Sequence, residues 1–379
     1  MMKKICFVTA ARSEYGILKW LMKDIDESDD FTLQLIVTGG HLSYDQGHTI
    51  DQIVEDGFKI DYVVDAQLDT TSTARIAEAM GRMAEGFAKA FEELKPDYLL
   101  ILGDRYELLP ICSTAFVMRI PIIHISGGDV TEGAIDDGIR NAVTMLAQYH
   151  FPGTKDSAEN IIRMRRSDKN VWVVGEPGLD SFNRESLLSR DELADILQLD
   201  VNKRWVLMTY HAETKKSIEY NICNVKNCID VLVNQKNLQT VITYANADFG
   251  GKQINKYIEE AAKQYSKKIK VIPSLGHFKY LSFMRYVDFV IGNSSSGIVE
   301  TPFMNIPTIN IGDRQKGRYQ CGNIMQCEPK LESIRKAVDN IDDLKNVPHG
   351  DLKYWGDGYT SERIVETIRN ICEEEMVNE

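Results

Sequence analysis

The chain has 379 residues, with 44 Lys and Arg against 56 Asp and Glu, so its formal charge is −12. An apolar content of 43% and only 10 prolines exclude a disordered or fibrous chain, and at roughly 100–200 residues per domain the length implies two domains. The acidic balance argues against a nucleic-acid or anionic-membrane partner, since both need a positive field, but it leaves room for a local basic pocket.

The N-terminus carries Lys3 and Lys4 before a short apolar stretch, as a secretion signal does. That stretch ends at Arg12 and Glu14, too short for a signal-peptide core, and residues 5–9 read as a buried first strand. Further short apolar runs with β-branched residues lie at 33–38, 98–102 and 122–125. Before the third of these strands, Ile76, Met80, Met83, Phe87, Phe91 and Leu94 recur at spacings of three and four, one face of a helix that Pro96-Asp97 stops. Such alternation implies parallel strands with helices on both faces. Residues 139–149 read as another helix and 171–174 as another strand. After the turn-rich Gly175-Glu176-Pro177-Gly178, a second series of strands runs through 205–209, 241–244, 271–272, 289–291 and 308–311. Two doubly wound α/β domains are the economical reading, residues 1–178 and 179–358. A closing helix lies within 359–379, and its Ile364, Val365 and Ile368 share a face that packs back across the domain boundary. Seven cysteines, an odd number with no Cys-x-x-Cys pair, fit reduced thiols buried as small hydrophobes. No run approaches the ~18 apolar residues of a membrane span, so a soluble cytoplasmic protein without a membrane partner is expected.

In open parallel sheets a ligand binds beyond the carboxyl ends of the strands, which makes the residues just after each strand the candidates. In the first domain these are Arg12, Ser13 and Glu14, then Gly103-Asp104-Arg105-Tyr106-Glu107, then Ser126-Gly127-Gly128-Asp129. A carboxylate or arginine beside glycine at successive tips marks a ligand crevice rather than solvated loops. Asp136 and Asp137 precede a helix, where they either complement its dipole or join Asp104, Glu107 and Asp129. Crowding of that kind raises some carboxyl pKa values and lets the groups trade protons with a substrate. In the second domain, Gly292-Asn293-Ser294-Ser295-Ser296-Gly297 joins a strand to a helix at 298–303. It is either a simple N-cap or a phosphate site, in which backbone N–H groups, hydroxyls and the helix dipole meet an anion. Glu300, one turn on, could face a ribose hydroxyl pair. Downstream, Arg314, Lys316 and Arg318 lie near that turn. Gly312 and Gly317 have P-loop spacing, but Arg318-Tyr319 replaces the required Lys-Ser/Thr, and no Gly-x-Gly-x-x-Gly follows a strand. ATP hydrolysis and nicotinamide chemistry are therefore both disfavoured. His211, just after strand 205–209, is either a satisfied structural histidine or a site residue at a strand tip.

Taken in order, 9–16 (Thr-Ala-Ala-Arg-Ser-Glu-Tyr-Gly), 103–107, His124-Ile125-Ser126-Gly127-Gly128-Asp129, Ile135-Asp136-Asp137-Gly138-Ile139-Arg140, His211, 293–297 and 312–318 span nearly the whole chain. They resemble the UDP-N-acetylglucosamine 2-epimerases, specifically the bacterial hydrolysing branch that opens sialic-acid biosynthesis. The resemblance implies two Rossmann-like domains in a glycosyltransferase-B arrangement with an interdomain cleft, a UDP-sugar substrate, a homodimer, no metal and no cofactor. It implies that Arg12, Ser294, Ser295 and Arg314 hold the diphosphate and Glu300 the ribose, with Arg105, His124, Ser296, Gly297 and Arg318 also binding substrate. Asp104, Asp129, Asp137 and His211 would carry the acid–base work, supported by Arg140. The implied reaction is anti elimination of UDP across C1–C2 to a 2-acetamidoglucal, followed by addition of water to give N-acetylmannosamine. Many relatives carry glutamate where this chain has Ser126, and Asp129 is expected to take over that load. The sister expectation is the same chemistry on UDP-N,N'-diacetylbacillosamine for legionaminic acid. Readings from other classes are a glycosyltransferase and a non-catalytic UDP-sugar sensor.

Overall fold

Six strands, β1 (Lys3–Thr9), β2 (Phe31–Thr38), β3 (Tyr62–Val64), β4 (Tyr98–Leu102), β5 (Ile122–Ile125) and β6 (Tyr149–Phe151), pair in parallel in the order β3-β2-β1-β4-β5-β6. The computed structural model describes residues 2–43, 48–131, 135–246, 248–346 and 351–378. Side chains alternate across a strand, so each strand feeds two cores. Ile5, Phe7, Tyr98, Leu100 and Leu102 pack on one face with the helices Arg12–Asp26 and Thr360–Asn378. Cys6, Val8, Leu99 and Ile101 pack on the other, against the helices Thr73–Leu94, Leu108–Val117 and Asp136–Leu146. The first of these three begins where the Ser72 side chain accepts from the Arg75 N–H, and it ends at Lys95 in the left-handed conformation, directly before Pro96. Its Met83, Phe87 and Phe91 are buried along the stripe that the spacing predicts.

A second sheet holds β7 (Arg204–Thr209), β8 (Leu238–Thr243), β9 (Ile269–Val271), β10 (Phe289–Gly292), β11 (Thr308–Ile311) and β12 (Ile324–Cys327), in the order β12-β11-β10-β7-β8-β9. Counted from its own first strand, each sheet reads 3-2-1-4-5-6, the doubly wound Rossmann order. Val206, Met208, Ile242, Phe289, Ile291 and Ile309 form its core with residues of the helices Ile218–Asn234 and Gly251–Gln264.

The chain divides into two compact units, residues 1–129, 136–183 and 356–379 in one, residues 130–135 and 184–355 in the other. Ile364, Val365 and Ile368 of the closing helix lie in the core of the first unit. Near its end, Glu375 accepts hydrogen bonds from the hydroxyls of Tyr98 and Tyr149, the latter at 2.6 Å. All seven cysteines are free thiols and all but Cys223 are buried. Among the described residues, no helix is long and apolar enough to cross a membrane.

The expected strands recur within a few residues, while β3, β6 and β12, at three or four residues each, escape the periodicity. The expected helix 139–149 is Asp136–Leu146, and Tyr149 instead opens β6. Residues 171–174 form one bridge, Val171 to His150, rather than a strand. Among the described residues their outer side pairs with no strand, and Val173 is 45% exposed.

The Glu375 carboxylate gathers two phenol hydroxyls, and hydrogen bonds to a charged acceptor are worth more than neutral ones. Glu375→Ala is expected to cost about 1–3 kcal/mol in denaturant unfolding; an unchanged midpoint would show that the helix is held by its apolar face alone.

Candidate functional site

Both sheets reverse their winding beside their first strand, and the tips on either side of that point carry buried polar groups. At the end of β1, the Ala10 and Ala11 N–H groups donate to Glu14 Oε2 at 2.8 and 3.0 Å. Glu14 is buried and its Oε1 has no hydrogen-bond partner. Burial pushes its carboxyl up to about 7, with the Arg105 guanidinium opposing and the Glu107 carboxylate reinforcing the rise. At the end of β4, Arg105 donates through Nε and Nη2 to both oxygens of buried Glu107, at 3.2 and 3.0 Å. Beyond β2, buried His41 bridges Thr9 Oγ1 at 2.9 Å and Thr49 Oγ1 at 2.8 Å. Burial pulls its pKa down to about 4, so it is neutral near pH 7.

Arg140 organises the next group. It is fully buried, and its guanidinium donates to Asp104 Oδ2, to the Asp129 carbonyl at 2.7 Å and to Asp137 Oδ1 at 3.5 Å. Burial weighs against its charge, but Asp104, Asp129 and Asp137 outweigh that penalty and raise its pKa. His124 is equally buried. Its Nε2 meets the Gly103 carbonyl at 2.8 Å and its Nδ1 meets Thr144 Oγ1 at 3.2 Å. A carbonyl only accepts, so Nε2 carries the proton, and burial holds the ring neutral with a pKa of about 4. His124 thereby pins the Gly103 turn that presents Asp104. The Asp129 carboxylate turns inward, where Ser157 Oγ donates to Oδ1 at 2.6 Å and Thr154 Oγ1 lies 2.8 Å from Ser157 Oγ.

In the second unit, fully buried Asn293 ties three strand tips together. Its Oδ1 accepts from the His211 N–H at 2.7 Å and its Nδ2 donates to the His211 carbonyl at 2.9 Å. The Asn293 carbonyl accepts from Arg314 Nη1 at 3.1 Å and from buried Gln315 Nε2 at 2.9 Å, and Gln315 Oε1 accepts from Arg318 Nη1 at 3.1 Å. Gly292 allows this closeness, since a Cβ there would lie 1.9 Å from the Thr209 carbonyl oxygen and its φ is +139°. His211 Nδ1 accepts from the Asn246 N–H at 3.0 Å. A proton on Nδ1 would set N–H against N–H, so the neutral ring carries its proton on Nε2. Ser294, Ser295 and Ser296 lead into the helix Ser296–Phe303. Ser296 Oγ receives the Tyr280 hydroxyl at 2.8 Å and donates to Glu300 Oε2. Desolvation raises the Glu300 pKa, against this hydrogen bond.

Of the residues expected from sequence, Asp104, Arg105, Asp129, His211, Ser294, Ser295 and Arg314 follow strands, while Arg12, Asp137, Arg140, Ser296, Gly297 and Glu300 lie in helices and His124 within β5. Asp104, Asp129, Asp137, Arg140 and His124 come together in one unit, with Arg12 at the first position of its helix and Arg105 locked onto Glu107. His211, Ser294–Ser296, Gly297, Glu300, Arg314 and Arg318 belong to the other. Sequence reasoning missed Asn293 and Gln315 as organisers, and Ser157 and His41 as buried partners. A polar residue directly after an apolar strand was the available signal for Asn293 alone.

A protein-family model described as UDP-N-acetylglucosamine 2-epimerase matches residues 23–369. The chain is 36% identical over 340 residues to a GDP/UDP-N,N'-diacetylbacillosamine 2-epimerase (hydrolyzing) of Campylobacter jejuni, covering 90% of this chain and 88% of that protein. It is 31% identical over 374 residues to a UDP-N,N'-diacetylbacillosamine 2-epimerase (hydrolyzing) of Legionella pneumophila, covering 98% and 97%. The crystal structure of the Neisseria meningitidis UDP-GlcNAc 2-epimerase bound to UDP-GlcNAc superposes with a TM-score of 0.82 at 17% identity, covering 97% of this chain and 100% of that one, which shows a shared fold.

Glu14 yields a pH prediction. In the folded chain its carboxyl keeps a proton up to about 7, against an ordinary value of 4.5. Between these values the folded state binds more protons than the unfolded one, so this group's stabilising contribution is lost as pH rises through that window. Glu14→Gln is expected to flatten that fall, read as denaturation midpoints across the window; parallel curves for the two proteins would overturn the assignment.

Proposed function

Because the chain belongs to the UDP-N-acetylglucosamine 2-epimerase family, we propose that it is the hydrolysing kind, releasing UDP from a UDP-linked 2-acetamido sugar and inverting C2. The observation that carries this reading is the gathering of the Asp104 and Asp137 carboxylates and the Asp129 carbonyl around buried Arg140 at the carboxyl end of the first sheet. The reaction begins with anti elimination: a carboxylate takes the C2 proton, the C1–O bond breaks and UDP leaves, giving a 2-acetamidoglucal. The C2 proton is only weakly acidic, so departure of UDP supplies much of the drive. Negative charge growing on the β-phosphate is met by the N–H groups of the Ser294–Ser296 turn and by Arg314 and Arg318, positioned before the reaction starts. A positioned carboxylate base contributes ~10²–10⁴-fold. Water then adds its oxygen to C1 while C2 takes a proton on the face opposite to the one it lost. His211 serves as an N–H donor through Nε2, and His124 as a positioning residue behind Asp104 rather than a substrate contact. Glu300 holds the ribose.

UDP-N-acetylglucosamine, giving N-acetylmannosamine, is the reading carried by the motifs. The names of the Campylobacter and Legionella relatives support a second, UDP-N,N'-diacetylbacillosamine, with the same chemistry. Turnover in deuterated water, followed by NMR, tests both. UDP and a 2-epimerised free sugar with deuterium at C2 are expected, and kcat/KM for the two substrates side by side ranks them. UDP release without exchange at C2 would overturn the epimerase reading.

A further inference from the structure

The extended run 171–174 lies beside β6: the Trp172 N–H donates to the His150 carbonyl at 3.0 Å and the Val174 N–H to the Pro152 carbonyl at 3.1 Å. It therefore runs parallel to β6, and its end, Gly175-Glu176, reaches the same edge of the sheet as Ser126 and Asp129. Glu176 is buried, and its Oε2 accepts the Ser126 Oγ proton at 2.6 Å. The fit is close: Gly153 backs onto the carboxylate, and a Cβ there would lie 1.9 Å from Glu176 Oε1. Ser126, at φ +57°, follows β5 directly and is only half-buried. A serine has one proton. With that proton given to Glu176, Ser126 Oγ can meet anything on its open side only as an acceptor. Asp129, expected to cover for a glutamate at position 126, accepts from Ser157 Oγ through Oδ1.

We infer that Ser126 and Glu176 form a hydroxyl-relayed base for the water that is added to the glycal. This rests on the hydrolysing reading above. As the water oxygen bonds to C1, its proton passes to Ser126 Oγ and the serine proton passes to Glu176 Oε2, leaving a neutral carboxylic acid. The electron pair of the C1=C2 bond takes a proton at C2, on the face opposite the one deprotonated in the elimination, from a second carboxyl group of the Arg140 cluster that has been protonated from solvent and now becomes a carboxylate. Glu176 is a positioning residue that acts through Ser126.

The test is Glu176→Gln, whose amide still meets Ser126 but takes no proton, alongside Ser126→Ala, which removes the relay at its other end and guards against a fold defect in the first variant. Both are incubated with each UDP-sugar, and NMR resolves the vinylic H1 of the free glycal from the hydrated sugar. Hydration is expected to slow by ~10²–10⁴-fold, so the glycal rises from a trace to the main sugar product beside UDP. UDP release and hydration falling together, or neither changing, would overturn the relay. If the unaltered protein releases no UDP from either substrate, the hydrolysing reading itself fails and takes this inference with it.

Discussion

A guanidinium taken wholly out of water must find its counter-charges inside the protein or the fold is lost. Arg140 meets that demand with Asp104, Asp137 and the Asp129 carbonyl, which come from the ends of β4 and β5 and from its own helix. The two carboxylates cannot drift without stranding the charge, so their geometry is enforced by stability. His124 extends this control one residue back, because its fixed tautomer holds the Gly103 carbonyl. Asp104 and Asp137 thus stand on a frame that the fold orders by itself, the preorganisation that electrostatic catalysis requires.

The second unit solves the same problem with neutral groups. Asn293 satisfies the backbone N–H and carbonyl of His211 through its amide, and its own carbonyl anchors Arg314 and Gln315. A charged residue in its place would compete for the anion. An amide leaves the positive field of Arg314, Arg318 and the helix start intact, a local basic patch on a protein of net charge −12.

Much of this was legible in the residues because parallel strands announce themselves twice, by an apolar run and by the polar residue that ends it. The long strands β1, β2, β7 and β8 and the stripe along Thr73–Leu94 are cases where burial and periodicity agree. Short β3, β6 and β12 offer too few residues for a period to show. Strand-tip logic likewise pointed to Asp104, Asp129 and His211. What it could not supply was pairing: the amide that grips His211 lies 82 residues away, and the carboxylate that meets Ser126 lies 50 residues away. Whether Asp129 faces outward or leans on Ser157 is decided by the packing of a later helix, and no local spacing encodes that.

The first unit takes its last helix from the far end of the chain. Ile364, Val365, Ile368 and Ile371 complete a core whose other members begin at Ile5. On a ribosome, where segments emerge in order, the interior unit of residues 184–355 has all of its strands available while the earlier one still lacks a wall. The first unit, although its chain begins earlier, lacks part of its core until the last helix has been made.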